Sequence, residues 1–479
     1  MTRLLALIVA LVFAVPAYAG STPATNANIT QAGADALKPK IVDAISYFAA
    51  TMQKSGVTLK QEGDVLVEPA GTYYAVTSPN ISLLMPGNIT RTVGMVAINA
   101  IPTDDPNVFK VAVALPTPMM DTDETGKQVG SLSIGQQTMN GLWNMAAAVF
   151  LEMNGSYKDV RIKNAGQGLD VGIPMMTLTS KLTQNGKMWQ GPAEAVITNY
   201  THKDAKGSYQ VGSLRIRTDV RELDLNAPAR ATSGTGMNAM QALFSDYLTR
   251  YANAVDATIA ADNIAFQNPT RTGTIKTGTL QTSMKNLRGD TSDATWNLGL
   301  DGITSGNADQ IRFTPTRAAM KGSGNKVPVA ALSRIVEGGD TWMQILGRAG
   351  STVNIENLVV DAPAYGMDAK GNFKADTGAP LGGIGDLNIS LRGLQELNAW
   401  LASGQASNVV GVNMLPPQVL AGLAIVQMVG KDGKDAQGRA TKTFDLKMSE
   451  DGKILVNGAD MSAITATAPS LLLKPAGPR

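Results

Sequence analysis

Apolar positions change period along this chain, and the changes predict its elements. Ile41, Ala44, Ile45, Phe48 and Met52 recur at three- and four-residue steps, which predicts a helix that Gly56 stops. Residues 20–33, small and polar, read as a flexible lead-in to it. From Val57 the period is two. Phe109, Val111, Val113 and Leu115 share one face of a strand, and Lys110 takes the other. A second helix is predicted over 137–151. Alternation then returns at Val160 and Ile162, at Leu178 and Leu182, and at Leu214, Ile216 and Val220. Residues 221–222 interrupt it before Leu223 and Leu225, which predicts a bulge.

Turn signals punctuate these strands. Asp123 to Lys127, Asn185-Gly186-Lys187, Asp204 to Gly207, Asp368 to Gly371 and Asp451-Gly452-Lys453 all separate alternating runs. Asn-Gly and Asp-Gly supply the positive φ that tight hairpins need. Strands joined in this way make antiparallel meanders and not βαβ crossovers. Residues 227–238 are small and rich in breakers, and read as a domain boundary. The order then starts again with an amphipathic helix carrying Met240, Phe244, Tyr247, Leu248, Tyr251 and Val255. Strands follow with Leu280, Met284 and Leu287, then Trp296, Leu298 and Leu300. Short helices are predicted near 330–348, 394–403 and 415–430, and strands at 352–360 and 384–392. A closing hairpin sets Phe444, Leu446 and Met448 against Ile454 and Val456.

These patterns predict an α+β protein of two modules, 20–230 and 231–479. Each is a long, twisted antiparallel sheet with an amphipathic helix against its concave face. The length of 479 residues suits two domains that build cores without covalent staples.

Composition narrows the chemistry. The chain has no cysteine and one histidine, which excludes disulfides, Cys-ligated metals, thiol catalysis and two-histidine mechanisms. A net charge of +2, no basic run and 5% aromatics argue against nucleic acid. Residues 1–19 read as a secretory leader: Arg3, an apolar stretch from Leu4 to Val15, the breaker Pro16, then Ala17-Tyr18-Ala19 before a cleavage at Gly20. The expected location is a bacterial periplasm, with secretion as the alternative. Segments 142–151 and 415–429 are too short or too interrupted to span a membrane as helices.

No catalytic constellation is complete. Gly234-Thr235-Gly236-Met237-Asn238-Ala239 has the glycine spacing of a dinucleotide loop but follows a polar linker instead of a buried strand. The Asp121, Asp123 and Thr125 spacing opens like a calcium loop, yet its twelfth position is Leu132. His202 lies in a polar turn signal and reads as a solvated side chain. Ser323-Gly324-Asn325-Lys326 has the Ser–Lys spacing, but Gly-Asn predicts a turn where that chemistry requires a helix. The pairs Met119-Met120 and Met175-Met176 fall on strands, where neighbours point to opposite faces, so neither pair chelates copper by itself. The 22 methionines read instead as adaptable apolar filling in a core or along a groove. Nothing here calls for a metal or a cofactor.

The C-terminal third resembles known sequences. It carries Gly385 to Leu394 (GDLNISLRGL), then Leu415-Pro416-Pro417 with an apolar run, then Asp451 to Gly458 (DGKILVNG). This order resembles the YdgA-like envelope proteins of Gram-negative bacteria, and in outline the AsmA-like superfamily of lipid-handling envelope proteins. The resemblance implies an elongated, β-rich periplasmic protein and favours an apolar ligand over catalysis; it offers no family active site to carry over. The resulting expectation is a non-enzymatic protein that binds lipid or another apolar molecule, or supports envelope assembly. Phe48, Met52, Met240, Phe244 and Leu248 are its candidate lining. The alternative is an envelope scaffold that docks a protein partner and holds no small ligand. A hydrolase using carboxylates or the Ser323–Lys326 pair is a remote third.

Overall fold

The computed structural model describes residues 29–53, 56–145, 149–225, 252–269, 271–305, 308–329, 342–402, 429–435 and 437–462. Among the described residues strands hold 65% and helices 12%, so the fold is mostly antiparallel sheet and not an even mixture of the two. The chain divides into two compact units, the first ending at Val255 and the second beginning at Asp256. The predicted leader 1–19 and the boundary segment 227–238 lie outside the described residues, as do Met240, Phe244 and Leu248.

Helix α1 (Gln31–Gln53) opens the first unit. It begins earlier than its periodicity suggested, taking in the end of the predicted lead-in. Thr30 caps it, its Oγ1 accepting from the Gly33 N–H at 3.1 Å. Position 33 has no room for a side chain, because a Cβ there would lie 2.0 Å from the Tyr74 hydroxyl. Gly56, at φ +76°, ends the helix, with its N–H on the Gln53 carbonyl.

Among the described residues fifteen strands follow: β1 (Thr58–Glu62), β2 (Leu66–Ala70), β3 (Tyr73–Thr77), β4 (Asn80–Met85), β5 (Ile89–Gly94), β6 (Ala97–Pro102), β7 (Val108–Ala114), β8 (Met119–Thr122), β9 (Gln128–Ser133), β10 (Gln136–Asn144), β11 (Val149–Asn164), β12 (Leu169–Lys181), β13 (Thr183–Asn185), β14 (Met188–Asp204) and β15 (Gly207–Leu223). Two antiparallel ladders converge on β11. One runs β1–β4–β5–β8–β9–β11. The other runs β2–β3–β6–β7–β10–β11. Beyond β11 the order is β12–β14–β15, and β13 pairs with the start of β14.

Helix α1 lies on the second ladder. Ala34, Leu37 and Ile41 pack with Val67, Val76, Phe109, Trp143 and Phe150 in one buried cluster. Register explains the cluster: Val67 sits opposite Val76, Phe109 opposite Trp143, and Trp143 opposite Phe150. Burying each of these larger side chains stabilises the unit by roughly 1.5–3 kcal/mol.

The helix predicted over 137–151 is absent, and β10 and β11 take its place. Leu142, Trp143, Val149, Phe150 and Leu151 are all buried. A strand covered on both faces has no polar side, so its sequence loses the alternation that would identify it.

A crease runs across five strands of this unit. In each, two consecutive residues separate buried or half-buried side chains three positions apart: Ile134 and Gln137, Val160 and Tyr157, Ile173 and Met176, Tyr200 and Ile197, Val211 and Leu214. These pairs are in register from strand to strand. Asp159 and Asn199 lie on the crease at φ +53° and +54°, the left-handed region that Asp and Asn tolerate best among residues with a Cβ. One such residue turns the peptide over, so the inward side chains resume one step out of phase. The bulge predicted at 221–222 is present: Trp189 pairs with Leu223 and Gly191 with Val220, so β15 carries one extra residue, and Glu222 is at φ +53°.

The second unit contains most of β16 (Ala254–Asn268), then β17 (Arg271–Lys285), β18 (Thr291–Asp301), β19 (Thr304–Ser305), β20 (Arg317–Pro328), helix α2 (Trp342–Ala349), β21 (Thr352–Asp361), β22 (Gly366–Ala375), β23 (Gly383–Arg392), helix α3 (Leu394–Ala402), β24 (Lys431–Lys434), β25 (Ala440–Met448), β26 (Ile454–Val456) and β27 (Ala459–Asp460). Its ladder is β17–β18–β20–β21–β22–β23–β25–β26–β27, antiparallel throughout. The closing hairpin has the predicted register, Leu446 opposite Val456 and Met448 opposite Ile454. Residues 368–371 are not a turn; they continue β22. Of the predicted helices, α3 matches 394–403 and α2 covers the end of 330–348. Residues 415–428 lie outside the described residues. Val255, assigned by pattern to a long helix, is in β16.

Candidate apolar binding face

Register in the second unit assembles alternate apolar residues into continuous rows. One row crosses seven strands: Leu280, Leu298, Met320, Leu358, Ala369, Ile389 and Phe444, each directly opposite the next. Beside it run Leu300, Ala318, Val360, Met367 and Leu391. On the other side run Trp296, Gly322, Ile355, Gly371, Leu387, Leu446 and Val456. The opposite face of the same strands is polar. There Asn372 Nδ2 donates to Asp386 at 2.9 Å, Lys321 pairs with Glu356 at 2.5 Å, and Asn388 donates to Asp445.

The apolar face is covered at its margins. Leu346 of α2 packs with Val327, Phe373 and Ala375. Leu394, Val429 and Met461 pack over Leu391, Phe444 and Val456. Between these clusters, Leu280, Leu298, Leu300, Met320, Leu358 and Val360 remain half-buried. The interior residues of the first unit differ: Ile162, Ile173 and Leu178 are at most 2% exposed. A contiguous, incompletely covered apolar surface of this kind marks a ligand groove or an interface.

Of the predicted lining residues only Phe48 and Met52 are among the described ones, and both are in the first unit. On α1, Phe48 is half-buried and Met52 is buried at 1% exposure. The face was missed because each strand contributes only three or four apolar positions, and only strand pairing joins them.

Asp121, Glu152 and His202 are buried titratable groups of the first unit. His202 is not solvated: it lies on β14, 7% exposed, opposite Val171 and Tyr209. Its Nε2 is 3.1 Å from Asp204 Oδ2 and its Nδ1 has no partner. The polar turn begins two residues later, and the inward parity of β14 takes the ring into the core. Asp121 forms no calcium loop. It accepts from buried Arg91 through both oxygens, at 2.7 and 2.8 Å, while Asp123 organises the turn that follows.

Glu152 is the third, 1% exposed, with Lys181 Nζ at 3.6 Å. Desolvation raises its carboxyl above the ordinary glutamate value, against the opposing pull of Lys181. A folded-state value above the unfolded one means the carboxyl's contribution is most favourable below the unfolded value. That contribution is lost as pH rises through the folded value. Glu152→Gln is therefore expected to unfold at higher urea than the parent at pH 7, by about 1 kcal/mol. The gain should vanish near pH 4; an equal gain at both pH values would show that ionisation is not the cause.

Ser323 and Lys326 sit on β20, a strand, so they lack the helical turn that a Ser–Lys mechanism uses. Met119 is 5% exposed and its neighbour Met120 38%, on opposite faces of β8. Among the described residues no three His, Asp or Glu side chains converge as metal ligands would. No helix there is long and apolar enough to cross a membrane. Neither a family model nor a curated protein matches the chain, so its function must be argued from this geometry.

Proposed function

We propose that this chain is an exported, non-enzymatic protein of the bacterial periplasm that binds a lipid or another apolar molecule on the sheet of its second unit. The seven-strand row from Leu280 to Phe444, half-buried at Leu280, Leu298, Met320 and Leu358, is the observation that carries the reading. A sheet this apolar needs a cover, and described helices cover only its margins. The reading keeps the two modules of the sequence, 20–230 and 231–479, with an amphipathic helix against each sheet. It moves the primary lining from Phe48, Met52, Met240, Phe244 and Leu248 to the face itself. The leader-like segment 1–19 supports export. The resemblance to lipid-handling envelope proteins supports the class of ligand.

The test is solvent extraction and mass spectrometry of protein purified from a periplasm without detergent. A phospholipid or other apolar species at near-stoichiometric amount is expected. A protein that is empty as isolated, and still empty after incubation with envelope lipids, would sink the reading.

A further inference from the structure

The apolar face is interrupted by a polar feature, and that feature specifies part of the ligand. Trp296 stands on β18 within the face, its ring lying across β20. A Cβ on Gly322 would be 2.7 Å from the indole Cζ2, and one on Gly324 would be 3.6 Å from Cζ3. Two glycines on the neighbouring strand therefore make the seat for this one ring, the arrangement by which an aromatic compensates glycine in a sheet. The indole Nε1 is buried and has no hydrogen-bond partner. Directly opposite on β17, on the same face, Thr282 brings a hydroxyl.

A buried donor left unpaired is costly, and native structures rarely keep one without a use. Trp296 itself is half-buried and stands two positions from Leu298, in the half-buried row of Leu280, Leu298, Met320 and Leu358. Resting on the apolar-ligand reading above, we propose that Trp296 and Thr282 anchor a carbonyl oxygen of an acyl ester whose hydrocarbon chain lies along that row. Indole and hydroxyl are neutral donors, and the neighbouring positions of the row are Gly322 and Ile355, with no cation among them. The site thus suits a neutral ester oxygen better than a carboxylate, whose charge it would desolvate without compensation.

The test compares ligands that share a chain and differ in the oxygen. Equilibrium dialysis of the full-length mature protein would use radiolabelled methyl palmitate, octadecane and palmitate at pH 8. Methyl palmitate should bind about tenfold more tightly than octadecane. Trp296→Phe, which keeps a ring over the glycines, should bring that ratio close to one with octadecane binding unchanged. Thr282→Val should lower the ratio in part, and serves if the tryptophan variant fails to fold. A parent ratio near one, a ratio unmoved by both variants, or tighter binding of palmitate than of its ester would overturn the proposal and leave the apolar reading standing. If none of the three ligands binds, both fall.

Discussion

Removing either member of the Arg91–Asp121 pair is expected to cost the first unit about 3–5 kcal/mol, the largest single-site loss we foresee outside the apolar core. The two side chains are 5% and 4% exposed and face each other in register across β5 and β8. The guanidinium donates through Nε at 2.7 Å and Nη2 at 2.8 Å, so both carboxylate oxygens are held. Space for the pair comes from Gly130, opposite Asp121 on β9, where a Cβ would sit 3.0 Å from Oδ2. Arg91→Ala leaves a carboxylate with neither water nor cation, and Asp121→Ala leaves a guanidinium in the same position. Either loss is a large fraction of the roughly 5–15 kcal/mol that holds a typical domain together. Joint replacement by Met at 91 and Leu at 121 should recover most of it, because no charge then remains to be desolvated. Urea denaturation of the two single alanine variants and the apolar double variant measures this directly. A double replacement as damaging as either alanine would show that the pair is needed for packing or register and not merely to neutralise itself.

Much of the architecture was legible because hairpin chemistry is local. Gly186 and Gly452, at φ +63° and +79°, close the turns that Asn-Gly and Asp-Gly predicted. The alternation of Phe444, Leu446 and Met448 gave a strand because that strand has one wet face. What failed depended on distant partners. Phe150 and Leu151 read as helix since both faces of β11 are covered, and sequence does not record what covers a strand. Asp368 to Gly371 read as a turn since glycine within a strand looks like punctuation; here Gly371 sits where a Cβ would lie 2.2 Å from the Asp386 carbonyl oxygen, so the strand itself demands glycine. His202 was misplaced for a third reason. Its polar neighbours alternate with it, and inward parity decided its environment. The candidate face combines these effects: Leu298, Met320, Leu358 and Ile389 are far apart in sequence and become one surface only through four successive registers.

Met320→Asp should abolish binding of an apolar ligand while the protein stays folded. Met320 lies in the row from Leu280 to Phe444, opposite Leu298 and Leu358, and is half-buried. A carboxylate there keeps access to water in the ligand-free protein, so the stability cost should be about 1–2 kcal/mol, within the usual range for single substitutions. In the complex the same carboxylate would have to be stripped of water against hydrocarbon, a penalty of several kcal/mol that its register neighbours Leu298 and Leu358 do not offset. Binding should therefore fall by at least a hundredfold. Ile173→Asp is the contrast, because Ile173 is 1% exposed in the first unit and has no water to retreat to. That variant should unfold. The two are compared by circular dichroism and by binding of a radiolabelled acyl probe. If Met320→Asp also unfolds, the face is an ordinary closed core; if it folds and still binds as the parent does, the ligand lies elsewhere. A folded protein that has lost its ligand is the outcome that would place the binding surface on the row from Leu280 to Phe444.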